Sequence, residues 1–231
     1  MRGIAVFGSH LPCTAFHEEK RVISFREKER RFRANMGEKD WTGNSRSVVG
    51  CLGASCHSAG EREENDFYAT DPIAAEWLVN LEPLDKNIWE CACGKGHLAK
   101  VFEAHGFNVK ATDLIDRGYG QGGVNFLMCN DKFDGDIITN PPYKYAEDFI
   151  QHALALIPKG KRVYMFLKVQ FLEGKGRKAL YEIYPPRFVY VSSSRIPCSK
   201  NGEDFESSMI AYAWYVWEKG YHGDTIIRWF N

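Results

Sequence analysis

Two consecutive prolines behind a short apolar run set the tightest constraint on this chain. Residues 134–143 read Asp-Gly-Asp-Ile-Ile-Thr-Asn-Pro-Pro-Tyr. Ile137 and Ile138 have the character of a buried strand. Pro141 and Pro142 must end it, because proline has no N–H for the ladder and holds φ near about −65°. The strand therefore gives way to a rigid corner that carries an amide, Asn140, and an aromatic ring, Tyr143. In open α/β sheets ligands gather at the C-terminal ends of parallel strands, so the corner is placed where chemistry collects.

The flanking sequence alternates strand and helix. Pro72 follows Thr70 and Asp71, either of which can cap a helix over about 72–80. Strands are predicted at 88–92, 108–113, 124–127, 136–139, 162–167, 188–191 and 209–217, with a closing strand at 225–229. Between them, Leu98 to His105 and Gly174 to Tyr184 read as helices. Ala146, Phe149, Ile150, Ala153, Leu154 and Ile157 repeat at helical spacing. This alternation predicts a Rossmann-like α/β fold: a seven-stranded, mostly parallel sheet with right-handed crossovers, helices on both faces and an antiparallel last strand.

Residues 66–231 are read as this domain and residues 1–65 as an N-terminal extension, loop-like or partly disordered. From Glu18 to Arg33 charges of both signs are dense and apolar residues sparse, which defines no core face. Residues 1–16 lack a clear small-residue cleavage site and are not read as a signal peptide; Met36 stands as a second candidate start. No run of about 18 apolar residues spans a membrane. The seven cysteines form no CxxC pair and no zinc-finger spacing, so no metal site is expected and a reducing cytoplasm is the expected compartment. The formal net charge of zero argues against a protein that coats nucleic acid non-specifically, although a local basic patch is compatible with it.

Cys93-Gly94-Lys95-Gly96-His97 joins a strand to a helix, and glycine there permits a tight turn and close approach of backbone to a ligand. Asp113 ends the next strand about 20 residues on, where a carboxylate can accept both hydroxyls of a ribose. Glycine loop, acid tip and Asn-Pro-Pro-Tyr together resemble the class I S-adenosylmethionine-dependent methyltransferases. Within them the resemblance is to the amino-methyltransferases marked by this tetrapeptide, closest to phage- or prophage-type adenine-N6 DNA methyltransferases. It covers about residues 66–220.

The resemblance implies S-adenosylmethionine as cofactor and assigns its contacts. Tyr68 and Thr70, in Phe-Tyr-Ala-Thr, fall at the segment that touches the methionine carboxylate. Glu90, Ala92, Cys93, Gly94 and Gly96 fall at the motif that holds the methionine part, and Asp113 at the ribose acid. Asn125 and Phe126 fall at the adenine contact, with Asn in place of the family's usual Asp. Asn140, Pro141, Pro142 and Tyr143 match the catalytic tetrapeptide in full. Its chemistry explains the residue types. An exocyclic amine is a poor nucleophile because its lone pair is delocalised. The Asn140 side-chain oxygen and the Pro141 carbonyl accept its two hydrogens, localise the lone pair and stabilise the developing positive charge. Tyr143 stacks on a base flipped out of a duplex or already unpaired. No metal or covalent nucleophile is called for.

The implied substrate is adenine in DNA. Two alternatives stay open: the same chemistry on a glutamine side chain or on guanine N2 of RNA, and a Rossmann-like nucleotide-binding domain without methyl transfer. The stretch between Gly96 and Asn140 is too short to hold a recognition domain, so target contacts are expected elsewhere. Arg195, Lys200 and Asn201 in the loop after the sixth strand are candidates, as is Lys168. Lys168 belongs to a basic stretch, residues 159–178, with seven Lys/Arg against one acid, Glu173.

Overall fold

A computed structural model describes residues 68–194, 196, 198–200 and 210–230. The extension 1–65, with its charged segment and Met36, lies outside the described residues, as do Arg195 and Asn201.

The main sheet is built from β2 (Asn87–Glu90), β3 (Asn108–Ala111), β4 (Asp136–Thr139), β5 (Arg162–Lys168), β6 (Phe188–Ser192), β8 (Tyr212–Glu218) and β9 (Ile226–Phe230), in the order β3-β2-β4-β5-β8-β6-β9. All pairings are parallel except those of β8, which runs antiparallel to both β5 and β6. The two remaining strands, β1 (Tyr68–Thr70) and β7 (Cys198–Lys200), form a separate antiparallel pair. Helices α1 (Ile73–Leu81) and α2 (Ala99–Ala104) cover one face; α3 (Ala146–Leu156) and α4 (Lys178–Ile183) cover the other.

Alternation of side chains across the pleat makes two cores from one sheet. Along β5, Val163, Met165 and Leu167 pack toward α3, with Trp89, Ile137 and Tyr215 beside them. Tyr164 and Phe166 face the other way, into the core of α1 and α2 with Ile88, Ile138 and Trp214. Central strands buried on both sides need apolar residues at every position. That is why β5 and β8 read as nearly continuous apolar runs.

The predicted third strand, 124–127, does not form. The Asn125 side-chain oxygen accepts from Leu127 N at 3.1 Å and winds Phe126–Met128 into a 3₁₀ turn, a local bond that competes with a ladder. The open edge of β3 is capped instead by the loop 118–123, through a single bridge between Thr112 and Gln121. Gly120 lets this loop lie flat on the edge, since a Cβ there would stand 2.7 Å from the Ala111 carbonyl oxygen. The seventh strand of the sheet is thus β9, added parallel to β6 at the far edge.

At the N-terminal end of the parallel strands a charged cluster clamps the sheet. Asp136 accepts from Asp85 N at 2.9 Å and Arg162 N at 2.8 Å. Glu82, 6% exposed, accepts from both the Arg162 guanidinium and the Tyr190 hydroxyl, and Arg162 Nε also meets Glu218 at 3.2 Å. Removing one partner of such a buried pair strands the other, so Glu82→Ala is expected to cost about 3–5 kcal/mol in urea unfolding. A loss within about 0.5 kcal/mol would mean the cluster relaxes into water.

Candidate active site

The corner forms as its residues demand. β4 is buried throughout, and after Asn140 the chain turns through Pro141 and Pro142 into a 3₁₀ turn, Tyr143–Tyr145, that leads directly into α3. Tyr145 N donates to Pro142 O at 2.9 Å and closes the turn. The Asn140 amide is anchored across the molecule: Nδ2 donates to Thr70 Oγ1 at 2.8 Å. Thr70 is 3% exposed and ends β1. With Nδ2 turned to Thr70, Oδ1 is the end of the amide that points away from it.

Tyr143 is half-buried and joins an aromatic run. Its ring lies 6.2 Å from that of Tyr212, which stacks on Phe166 at 5.3 Å. Lys168 Nζ stands 5.0 Å from the centre of the Tyr143 ring, within range of a cation–π contact. Lys168 is therefore brought to the corner. The rest of the basic stretch divides. Lys161 and Arg162 sit at the opposite end of β5, about 20 Å away at strand rise, where they pair with Asp85, Glu82 and Glu218. Arg177 is used internally, on the Phe171 carbonyl at 3.1 Å and near Glu147 at 3.5 Å. The stretch does not form one basic face. Lys200 is described by its backbone alone, opposite Tyr68 in the β1–β7 ladder.

Across the sheet, the glycine loop and Asp113 meet. Asp113 Oδ2 accepts from Gly94 N at 2.7 Å and Oδ1 from Ile115 N at 2.9 Å, and Cys93 N donates to Thr112 O at 3.0 Å. The carboxylate is thus held still at the tip of β3, with lone pairs left on both oxygens. Leu114, next in the chain, is 55% exposed and offers an apolar surface beside it that sequence reasoning did not pick out. Half-buried Ala92 lies in the same loop. The Tyr119 ring lies over Gly96, and a Cβ there would fall 2.4 Å from that ring.

Phe126 is turned inward. At 2% exposure it packs against Trp89, Phe149 and His152, and Asn125 spends one lone pair of its side-chain oxygen on Leu127 N. Of the cofactor-side residues, the structure gathers Glu90, the glycine loop and Asp113 most closely.

Glu90 ends β2 at 2% exposure. Burial, with Asp113 and Glu103 nearby adding like charge, pushes its carboxyl well above the ordinary 4.5, against the pull of a bond from the Ala99 N–H. Because the folded value lies above the unfolded one, the carboxyl favours folding when protonated, and stability falls as pH rises above about 4.5 toward the folded value. Glu90→Gln keeps the acceptor and is expected to flatten that decline, read as denaturation midpoints at pH 5 and pH 8. A parallel decline in both proteins would place Glu90 in water. Cys91 and Cys129 are pushed up by burial and Cys93 up to about 12. They stand as neutral thiols, ill-suited to nucleophilic attack. Among the described residues no three His, Cys, Asp or Glu side chains gather as metal ligands, and no helix is long and apolar enough to cross a membrane.

No protein-family model and no curated protein matches the chain. Solved structures do. A Listeria monocytogenes protein assigned to the class I S-adenosylmethionine-dependent methyltransferases aligns at 14% identity over 74% of this chain and 68% of its own, with TM-score 0.49. A Pyrococcus horikoshii protein assigned as an RNA methyltransferase aligns at 14% identity over 64% and 82%, TM-score 0.46. TrmN from Thermus thermophilus aligns at 18% identity over 64% and 48%, TM-score 0.42. The fold is the Rossmann-like class I methyltransferase fold. Its assignment rests on the strand order, with antiparallel β8 inserted between two parallel strands. In this methyltransferase fold the glycine loop, Asp113 and the corner all stand at the C-terminal ends of β2, β3 and β4, the side where open sheets bind ligands.

Proposed function

We propose that the chain is an S-adenosylmethionine-dependent N-methyltransferase whose acceptor is the N6 amine of adenine in DNA. The observation that carries this reading is the Asn140 amide, held by Thr70 at 2.8 Å with its oxygen end at the tip of β4. Thr70 and Asn140 orient an acceptor where an amine would sit, and the Pro141 carbonyl adds a second. Two such acceptors take both hydrogens of an NH2 group and pull its nitrogen toward tetrahedral geometry. They are fixed before the amine arrives, so little reorganisation is needed as positive charge develops.

The residues fit the cofactor. The Asp113 carboxylate, steadied by two backbone N–H groups, would accept the ribose hydroxyls. Leu114 would lie along the adenine ring, with Asn125 at its edge and Phe126 packed behind. Glu90 and the backbone of Ala92, Cys93 and Gly94 would face the methionine part, with Tyr68 toward its carboxylate. When bound, S-adenosylmethionine supplies an electrophilic methyl group on a sulfonium. Tyr143 would stack on the acceptor base, which enters flipped or unpaired, and Lys168 would hold negative charge near that ring. Arg195, Lys200 and Asn201 would complete the contacts to DNA.

Incubating the protein with methyl-labelled S-adenosylmethionine and, separately, DNA, RNA and protein tests the reading. Label is expected in DNA. Label in glutamine residues alone, or in RNA guanine alone, would keep the amine chemistry and discard the substrate. Binding of a nicotinamide dinucleotide without S-adenosylmethionine would discard both.

A further inference from the structure

We propose that Thr70 is a positioning residue: its hydroxyl anchors the Asn140 side chain at the corner, where the amide would meet the acceptor amine. The inference rests on the methyl-transfer reading of the corner. It departs from the role that family resemblance gives Thr70, a contact to the methionine carboxylate.

A primary amide has two ends of nearly equal shape and opposite hydrogen-bonding character. With Oδ1 toward an NH2 group, Asn140 accepts; rotated by half a turn, it sets donors against donors. Nδ2 donates to Thr70 Oγ1 at 2.8 Å, which ties the amide to a fixed point on β1. The two residues are 70 positions apart, so the contact is made by the fold alone. Thr70 is itself 3% exposed, and its backbone is held outside the main sheet, in register with Cys198 of β7. The short β1–β7 ladder therefore sets where the hydroxyl stands, and the hydroxyl sets where the amide stands.

Thr70→Val keeps the shape and removes the acceptor. It is expected to lower kcat about 10- to 100-fold, the scale of one lost buried hydrogen bond. The Kd of S-adenosylmethionine should stay within about twofold, since binding and turnover are separable in such a variant. Thr70→Ser, which restores the hydroxyl, should return kcat to within about threefold of the wild type. Thr70→Ala is the second variant and should behave as the valine one does. In the Asn140→Ala background no amide is left to anchor, and Thr70→Val should cost less than about threefold further, a coupling that a double-mutant cycle measures.

One readout needs no substrate. The Asn140 side-chain amide protons, identified in nuclear magnetic resonance spectra by their loss in Asn140→Asp, should exchange slowly in the wild type and in Thr70→Ser. In Thr70→Val and Thr70→Ala they should exchange faster. Unchanged amide exchange in those variants overturns the proposal. So does a rise in cofactor Kd that matches the fall in kcat/KM, or an undiminished Thr70→Val effect in the Asn140→Ala background. A wild type that methylates no amine removes the functional reading instead, and the exchange rates still decide the Thr70–Asn140 bond.

Discussion

Replacing Asn140 with alanine is expected to lower kcat about a thousand-fold while leaving the Kd of S-adenosylmethionine within about twofold. The size reflects the group removed. Asn140 Oδ1 is one of two oxygens that would take the hydrogens of the acceptor amine, and it acts inside a partly buried corner where a dipole is worth more than in water. The selectivity reflects its place in the fold. Asn140 directly follows β4 and is anchored on Thr70, whereas Asp113, the carboxylate assigned to the ribose, lies just past β3 and is anchored on the glycine loop. Single-turnover rates and equilibrium binding on the same preparation separate the two effects. A fall in cofactor affinity as large as the fall in rate would remove Asn140 from the chemistry.

Asp113→Ala should do the reverse. The carboxylate accepts from Gly94 N at 2.7 Å and Ile115 N at 2.9 Å, so its loss leaves two backbone donors unmatched and removes the acceptors offered to the ribose. The Kd of S-adenosylmethionine is expected to rise about 100-fold, on the scale of two charge-assisted hydrogen bonds partly replaced by water. At saturating cofactor kcat should fall by less than about threefold. Asp113→Asn, which keeps one acceptor, should fall between. A variant with unchanged affinity and lost turnover would mean that Asp113 supports the corner rather than the cofactor.

Most of the sheet was legible because its strands are buried on both faces. β5 and β8 are apolar at nearly every position, and such runs stand out between helices of a different period. Where a local bond or a surface position decided the outcome, pattern was a weaker guide. Asn125 bends its own backbone into a 3₁₀ turn, so the segment 124–127 forms no strand despite its apolar residues. The basic stretch 159–178 is divided by β5, which holds Lys161 and Arg162 at one end of the strand and Lys168 at the other.

The site was legible in part for the same reason. Asn-Pro-Pro-Tyr and Asp113 are local signals, each tied to the end of a strand. The Thr70–Asn140 bond, the stacking of Tyr143 on Tyr212 and the cover of Gly96 by Tyr119 are tertiary contacts between segments far apart in the chain. No spacing rule encodes them. Thr70 was singled out as a cofactor contact on resemblance. Its neighbour in space was visible only once β1 had been placed beside the corner.

The most direct measurement is the identity of the methylated unit. DNA incubated with the wild-type protein and S-adenosylmethionine, digested to nucleosides and analysed by mass spectrometry, should contain N6-methyl-2′-deoxyadenosine. The same DNA treated with Asn140→Ala should contain about a thousandth as much at early times. Methylation at a carbon or oxygen, or at N6 in equal amount with both proteins, would contradict the account.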